Sequence, residues 1–343
     1  MVKRVAVIRG DGTGPELIKT TLQVMKAARA ELDLIMCEGG YEWWQQNGGE
    51  SLLPPKTWRT LEESEACLKG PTITPTALDE PRSVAVGIRQ RFDLFANVRP
   101  IKGFSTRKGD KLVDFVCVRE GTEGMYSGIG YRLDKDSAIS IRKTTRKACK
   151  RVTHFAFREA REKGWKTVVA IHKANILRET DGLFLEAVEE VSEEYEGIAL
   201  EEYLVDNIAQ QLMKNPERFN QKILLSTNLF MDIISEEASG LVGSIGTISS
   251  ANLGDSYAMF EPAHGSSPKY KGKNMVNPTA TILSAAWMLR FLGNKRAGDA
   301  ISLATENVIR KGNHTTYDLG GVGGTFEMGE AIAEEVRTIL RDR

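Results

Sequence analysis

The chain has 343 residues, 41% of them hydrophobic, enough to bury a large core and to form two domains. Lys+Arg and Asp+Glu both number 46, so the net charge is zero and composition argues for neither a nucleic-acid nor a membrane partner; any attraction for an anionic substrate has to come from a local cluster of basic residues. Four scattered cysteines (Cys37, Cys67, Cys117, Cys149) form no CxxC pair and read as buried, reduced thiols of a cytoplasmic protein. The N-terminus does not read as a signal peptide, and no apolar run approaches the ~20 residues of a membrane span.

In chain order, residues 5–8 (VAVI) form a short β-branched run that ends in Gly10-Asp11-Gly12, a buried strand entering a tight turn. Thr13-Gly14-Pro15-Glu16 opens a helix, with Pro15 in its first turn and Ile18, Leu22 and Met25 at helical spacing. Residues 103–111 (GFSTRKGDK) are polar and glycine-containing, a surface loop or a crossing between domains. Residues 154–163 form an amphipathic helix before an apolar strand at 167–171, and 223–225 is another short strand. The glycine-rich stretch 240–254 reads as the return crossing, 280–289 as a buried helix and 327–340 as a closing helix. Alternation of this kind predicts an α/β fold with a substantially parallel sheet.

Five segments carry candidate chemistry. GDGTG at 10–14 is not the GxGxxG of a dinucleotide fingerprint, because its third glycine falls one residue early, and it assigns no cofactor. Arg89 and Arg99 lie in RQRFDLFANVRP, and Arg119 follows the apolar run 115–118. Arginines at element ends can grip carboxylates through paired hydrogen bonds, although each one singly also reads as a surface ion-pair residue. Asp232 and Glu236, four apart, fall on one helix face, where hard divalent cations favour such oxygen ligands; a solvated acidic face gives the same spacing. Lys173 directly follows an apolar strand, where desolvation lowers a lysine pKa and suits a base. Residues 261–270 (EPAHGSSPKY), followed by Asn277-Pro278-Thr279-Ala280, form a long ordered loop before an apolar helix, with Lys269 able to pair with a phosphate. The four histidines lack metal-ligand spacing, and His154 reads as structural.

Taken in order, VIRGDGTGPE, RQRFDLFANVRP, VREGTEGMY, HKANILRETDGLF, NLFMDIISEEAS and EPAHGSSPKYKGKNMVNPTA resemble the β-decarboxylating dehydrogenases, which include isocitrate, homoisocitrate and 3-isopropylmalate dehydrogenases. The likeness covers nearly the whole chain. It implies an α/β fold other than the standard Rossmann unit, with a mixed parallel and antiparallel sheet and two domains. Residues 1–100 and 246–343 would form the large, cofactor-binding domain, and 101–245 the small domain of dimerisation, metal and catalytic residues. The resemblance implies a homodimer or larger assembly whose interdomain site borrows partner residues. Arg89, Arg99 and Arg119, with Lys69 and Ser83, would bind the substrate. Asp232 and Glu236, with Asp206 of the partner subunit, would hold Mg²⁺ or Mn²⁺. Lys173 of the partner subunit would assist removal of the hydroxyl proton, and Tyr126 would protonate the enolate left by CO₂ loss. Thr74, His264, Gly265, Lys269, Tyr270, Asn277, Tyr317 and Asp318 would hold the nicotinamide cofactor.

Within that resemblance, Lys69-Gly70-Pro71 and Ser83 favour isocitrate, whereas Ala85 stands where asparagine is usual and leaves homoisocitrate and 3-isopropylmalate as alternatives. Lys269-Tyr270 and Tyr317 favour NADP over NAD, although Gly321 stands where a phosphate-pairing arginine is expected. Arg9 replaces the usual proline, Thr13 the usual isoleucine, and Glu236 the usual aspartate. The longer glutamate leaves a non-catalytic regulatory subunit as the rival reading, against which stand the retained Arg89, Arg99, Arg119, Tyr126, Lys173, Asp206 and Asp232.

Overall fold

The structure is a computed structural model that describes residues 2–77, 79–104, 112–242 and 244–341. Its first half runs β1 (Lys3–Ile8), α1 (Gly14–Ala27), β2 (Leu32–Cys37), α2 (Tyr41–Asn47), α3 (Pro55–Glu62), β3 (Ala66–Lys69), α4 (Val84–Arg91), β4 (Ala96–Lys102), β5 (Asp114–Glu120), β6 (Gly124–Arg132), β7 (Ala138–Lys143) and α5 (Arg146–Lys163). It continues β8 (Thr167–His172), α6 (Arg178–Ser192), β9 (Ala199–Leu204), α7 (Val205–Lys214), β10 (Ile223–Ser226), α8 (Asn228–Gly240), β11 (Ser249–Leu253), β12 (Ala258–Pro262), α9 (Thr279–Phe291), α10 (Lys295–Lys311) and α11 (Thr325–Arg341).

Ten of the strands form one sheet in the order β2-β1-β3-β12-β11-β4-β5-β10-β8-β9. Its two ends are parallel, and its middle, β12-β11-β4-β5, is antiparallel. The sheet is therefore mixed. Its strands are short, and β1, β3, β8 and β10 are mostly apolar and buried, because helices cover both sides. Buried clusters gather at each end. Val5, Val7 and Phe260 pack with α1, α9, α10 and α11, while Val118, Val168 and Leu225 pack with α5 and α6.

The expected strands and helices are present, with one difference. The stretch 240–254 is not merely a crossing, because Ser249–Leu253 is β11, paired antiparallel to both β12 and β4. Its glycines hid a strand whose side chains (Ser249, Ser250, Asn252) are polar yet buried. The crossing expected at 103–111 falls mostly on 105–111, outside the described residues. All four cysteines are buried and unpaired. Among the described residues no helix is long and apolar enough to cross a membrane.

The GDGTG turn is a packing device. Gly10 has φ +78°, and a Cβ there would stand 2.1 Å from the Pro71 carbonyl oxygen, so only glycine fits. The buried Asp11 carboxylate accepts from the backbone N–H groups of Tyr41 (3.0 Å) and Glu42 (2.9 Å), at the start of α2, and of Ile73 (2.8 Å). Its oxygens are thus committed to holding three chain segments together.

Candidate active site

A cleft of about 390 Å³ opens where β3, β4, β5 and β12 meet α4 and α8. Five cationic side chains (Lys69, Arg82, Arg89, Arg99, Arg119) line it against two carboxylates, Asp232 and Glu261. Neutral overall, the protein gathers positive charge here, as an anionic substrate requires.

Three of the arginines are buried and held from behind. Arg89, in the last turn of α4, donates Nε–H to Asn252 Oδ1 (2.6 Å) and Nη2–H to Glu261 Oε1 (3.3 Å). Arg99, on β4, donates Nη1–H to Ser235 Oγ (2.8 Å) and Glu236 Oε1 (3.1 Å), and Nη2–H to Asp232 Oδ1 (3.2 Å). Arg119, near the end of β5, donates Nε–H to Asn228 Oδ1 (2.8 Å) and pairs with Asp232 Oδ1, with its guanidinium 4.8 Å from the Tyr126 ring centroid. Burial, reinforced by the Arg89 charge, pushes Arg119 down to about 10. Its Nη2 is buried with no hydrogen-bond partner, an unused donor in a cleft wall suited to a substrate carboxylate.

Asp232 and Glu236 lie one turn apart on the same face of α8, as their spacing predicts, and both meet Arg99. Burial raises the Asp232 carboxyl, but Arg119 and Arg99 outweigh it and hold Asp232 below its ordinary value. Burial wins at Glu236, which is raised despite Arg99. The Tyr126 hydroxyl donates to Asp232 Oδ2; burial pushes its pKa up, and the carboxylate adds to the shift. Asp232 lines the cleft and Glu236 stands one turn along the same face outside its lining; carboxylate oxygens of this kind suit Mg²⁺ or Mn²⁺. Among the described residues of one chain, no three His, Cys, Asp or Glu side chains converge as a metal cluster.

Lys173 and Asp206 do not line this cleft. They lie together near the β8–β9 edge of the sheet, Lys173 just beyond β8 and Asp206 at the start of α7, with Nζ 2.5 Å from Oδ1. The Lys173 side chain is partly buried, and it follows His172, the last residue of β8, whose pKa burial lowers. The Lys173 backbone N–H donates to Asp181 Oδ2 (2.7 Å), and Arg142 of β7 pairs with the same buried carboxylate (2.7 Å). His154 packs on α5 with its Nδ1 3.1 Å from the Tyr195 hydroxyl, a structural position.

The loop after β12 continues the cleft. Thr74, His264 and Gly265 line it, and His264 Nε2 is shielded with no hydrogen-bond partner. Beyond them, the exposed Lys269 holds Nζ 4.9 Å from the Tyr270 ring centroid, and the Tyr270 and Tyr317 rings are 6.3 Å apart. A hydrogen bond from Tyr317 and the charge of Lys269 lower the Tyr270 phenol. Asn277 donates to Asp318 Oδ2 (3.0 Å), while its own Oδ1 accepts from Thr279 N–H (2.9 Å) at the start of α9. At Gly321 an added Cβ would meet the Thr315 carbonyl oxygen at 2.0 Å, which explains why no arginine stands there.

The residue with the most contacts to the site that sequence reasoning left without a role is Glu261. Buried near the end of β12, it accepts from Lys69 Nζ (2.8 Å), Arg89 and Asn252 (2.8 Å). Burial raises its carboxyl, but Lys69 and Arg89 prevail and hold it well below the usual carboxylate range. The available signal was an acid closing the apolar run 258–260.

Comparison with known proteins agrees with this geometry. Residues 4–332 match the family described as isocitrate/isopropylmalate dehydrogenase. The chain is 42% identical to the 3-isopropylmalate/3-methylmalate dehydrogenase of Methanocaldococcus jannaschii, over 97% of this chain and 99% of that protein. It is 39% identical to the isocitrate/homoisocitrate dehydrogenase of Thermus thermophilus, over 99% and 100%. The crystal structure of isocitrate dehydrogenase from Methylococcus capsulatus superposes with a TM-score of 0.94 at 38% identity, over 98% of this chain and all of that one. The chain belongs to the isocitrate/isopropylmalate dehydrogenase family and is a decarboxylating dehydrogenase of 2-hydroxy acids.

Proposed function

We propose that this protein oxidises and decarboxylates isocitrate, using NADP and Mg²⁺ or Mn²⁺. The observation that carries the reading is the convergence of two buried arginines, Arg99 and Arg119, on the α8 face that bears Asp232 and Glu236, with a third, Arg89, lining the same cleft. A tricarboxylate offers the anionic groups that Arg89, Arg99 and Arg119 would grip, with Lys69 behind them and Ser83 beside them. The Ser83 hydroxyl oxygen caps α4 by accepting from Val86 N–H (3.3 Å), which leaves its proton free for a substrate oxygen. Homoisocitrate and 3-isopropylmalate remain second readings because Ala85 and Val86 line the cleft and leave room for a longer or apolar substituent.

When bound, the divalent cation would supply Lewis acidity at the substrate C2 oxygen and the nicotinamide would supply the hydride acceptor. Asp232 and Glu236, with Asp206 of the partner subunit, would hold the cation. Lys173 of the partner subunit would take the C2 hydroxyl proton. Tyr126, whose raised pKa keeps its proton in place, would deliver it to C3 after CO₂ departs. The separate Lys173–Asp206 pair supports an assembly in which each chain completes its neighbour's cleft. So does the isolated β6–β7 ribbon, with Tyr131, Ile139 and Ile141 exposed, a surface that a second copy would cover. Two buried clusters drawn wholly from 1–100 and 246–343, and two drawn mainly from 101–245, support the domain division 1–100 with 246–343 and 101–245, with β4 running between them.

Initial rates with isocitrate, homoisocitrate and 3-isopropylmalate test the substrate reading. The largest kcat/KM is expected for isocitrate; a larger value for either other acid replaces it with that acid. Lys269, exposed beside Tyr270 and Tyr317, is the cation available to a 2′-phosphate. Lys269→Asp is expected to raise KM for NADP by at least about tenfold, the loss of one charge-assisted contact, while changing KM for NAD far less. Equal effects on both cofactors remove Lys269 from the phosphate site.

A further inference from the structure

A second concavity lies on the outer face of α1, apart from the cleft. It measures about 590 Å³, inside the range of roughly 300–1,000 Å³ typical of small-molecule sites. Its α1 wall follows helical spacing, with Ile18 and Leu22 one turn apart, and the edge strand β2 adds Met36, which is 41% exposed. Arg9, Lys19 and Lys26 complete the lining, and no acidic side chain joins them.

The three cations are not spoken for by carboxylates. Lys19 lies 5.3 Å from the Phe326 ring centroid, and among the described residues the side chains of Arg9 and Lys26 have no hydrogen-bond or ion-pair partner. An apolar floor with unneutralised cations is complementary to a ligand with an apolar body and one negative head. A neutral apolar molecule would leave the cations unused, and a small hydrophilic anion would leave Leu22 and Met36 wet.

We propose that this concavity is a binding site for an amphipathic monocarboxylate of the fatty-acid type. It would lie behind the GDGTG turn. On its other side that turn meets the walls of the cleft, through Asp11 N–H to Pro71 O (2.8 Å) and Thr13 N–H to Ser266 O (2.9 Å). The site does not depend on which 2-hydroxy acid the enzyme oxidises.

Calorimetric titration of the intact protein with octanoate, 1-octanol and acetate tests the proposal. One octanoate is expected to bind per chain, with octanol and acetate at least about tenfold weaker. Arg9→Glu and Met36→Glu, both at exposed positions, are each expected to weaken octanoate by about tenfold or more without changing the melting temperature. Absence of octanoate binding, or equal affinity in wild type and Arg9→Glu, overturns the proposal. It is also overturned if octanoate does not bind while either variant lowers the sedimenting mass, because the face then belongs to a second copy of the chain.

Discussion

Lys173→Met is expected to lower kcat by about 10²–10⁴, the range for losing a positioned proton acceptor, while the dissociation constant of the 2-hydroxy acid changes little. Lys173 lies away from its own chain's cleft and pairs with Asp206, so the cleft it serves would be its neighbour's. That assignment gives a sharper result. Lys173→Met and Asp232→Asn chains, each inactive as homodimers, are expected to recover about a quarter of wild-type activity after mixing and reassembly. Half of the dimers are then mixed, and each mixed dimer holds one cleft with an intact Asp232 and an intact Lys173. If Lys173 served its own chain's cleft, no mixed dimer would hold a complete site and the activity would stay at background.

The second large effect concerns stability. Glu261→Ala is expected to destabilise the fold by about 3–5 kcal/mol, because it leaves Lys69 and Arg89, both buried, without their shared carboxylate. Chemical denaturation measures this directly, and a loss below about 1 kcal/mol, the worth of a surface pair, would place the triad in solvent rather than in the core. The pH dependence follows from the direction of the Glu261 shift. Its folded pKa lies below the ordinary glutamate value of about 4.3, so its stabilising contribution is fully present above that value. The contribution is lost as pH falls through the lower, folded pKa. Wild type is therefore expected to lose stability over this acidic interval more steeply than Glu261→Gln.

Much of this arrangement is legible in the sequence, for identifiable reasons. Strands such as 5–8, 167–171 and 223–225 show as short β-branched runs because both of their faces are buried. Asp232 and Glu236 share a face because the 3.6-residue period requires it. Strand β11 escaped notice because its buried positions are filled by Ser250 and Asn252, which are satisfied by side-chain hydrogen bonds rather than by being apolar: both accept from Asn97, and Asn252 donates to Glu261. Glu261 escaped for a related reason. Its role is defined by Lys69 and Arg89, which are 192 and 172 residues distant in sequence, and no local pattern encodes that meeting. The residues of the cofactor end were read by resemblance, and the structure adds that Gly321 has no room for a side chain.

The most direct test of oxidation coupled to decarboxylation follows nicotinamide reduction and CO₂ release together. Homogeneous protein would be supplied with isocitrate, homoisocitrate or 3-isopropylmalate, with and without Mn²⁺. The expected result is Mn²⁺-dependent reduction with at least one acid, accompanied by one CO₂ for each nicotinamide reduced. Absence of reduction with all three acids, or reduction without CO₂, would contradict it, and the former would favour a non-catalytic subunit.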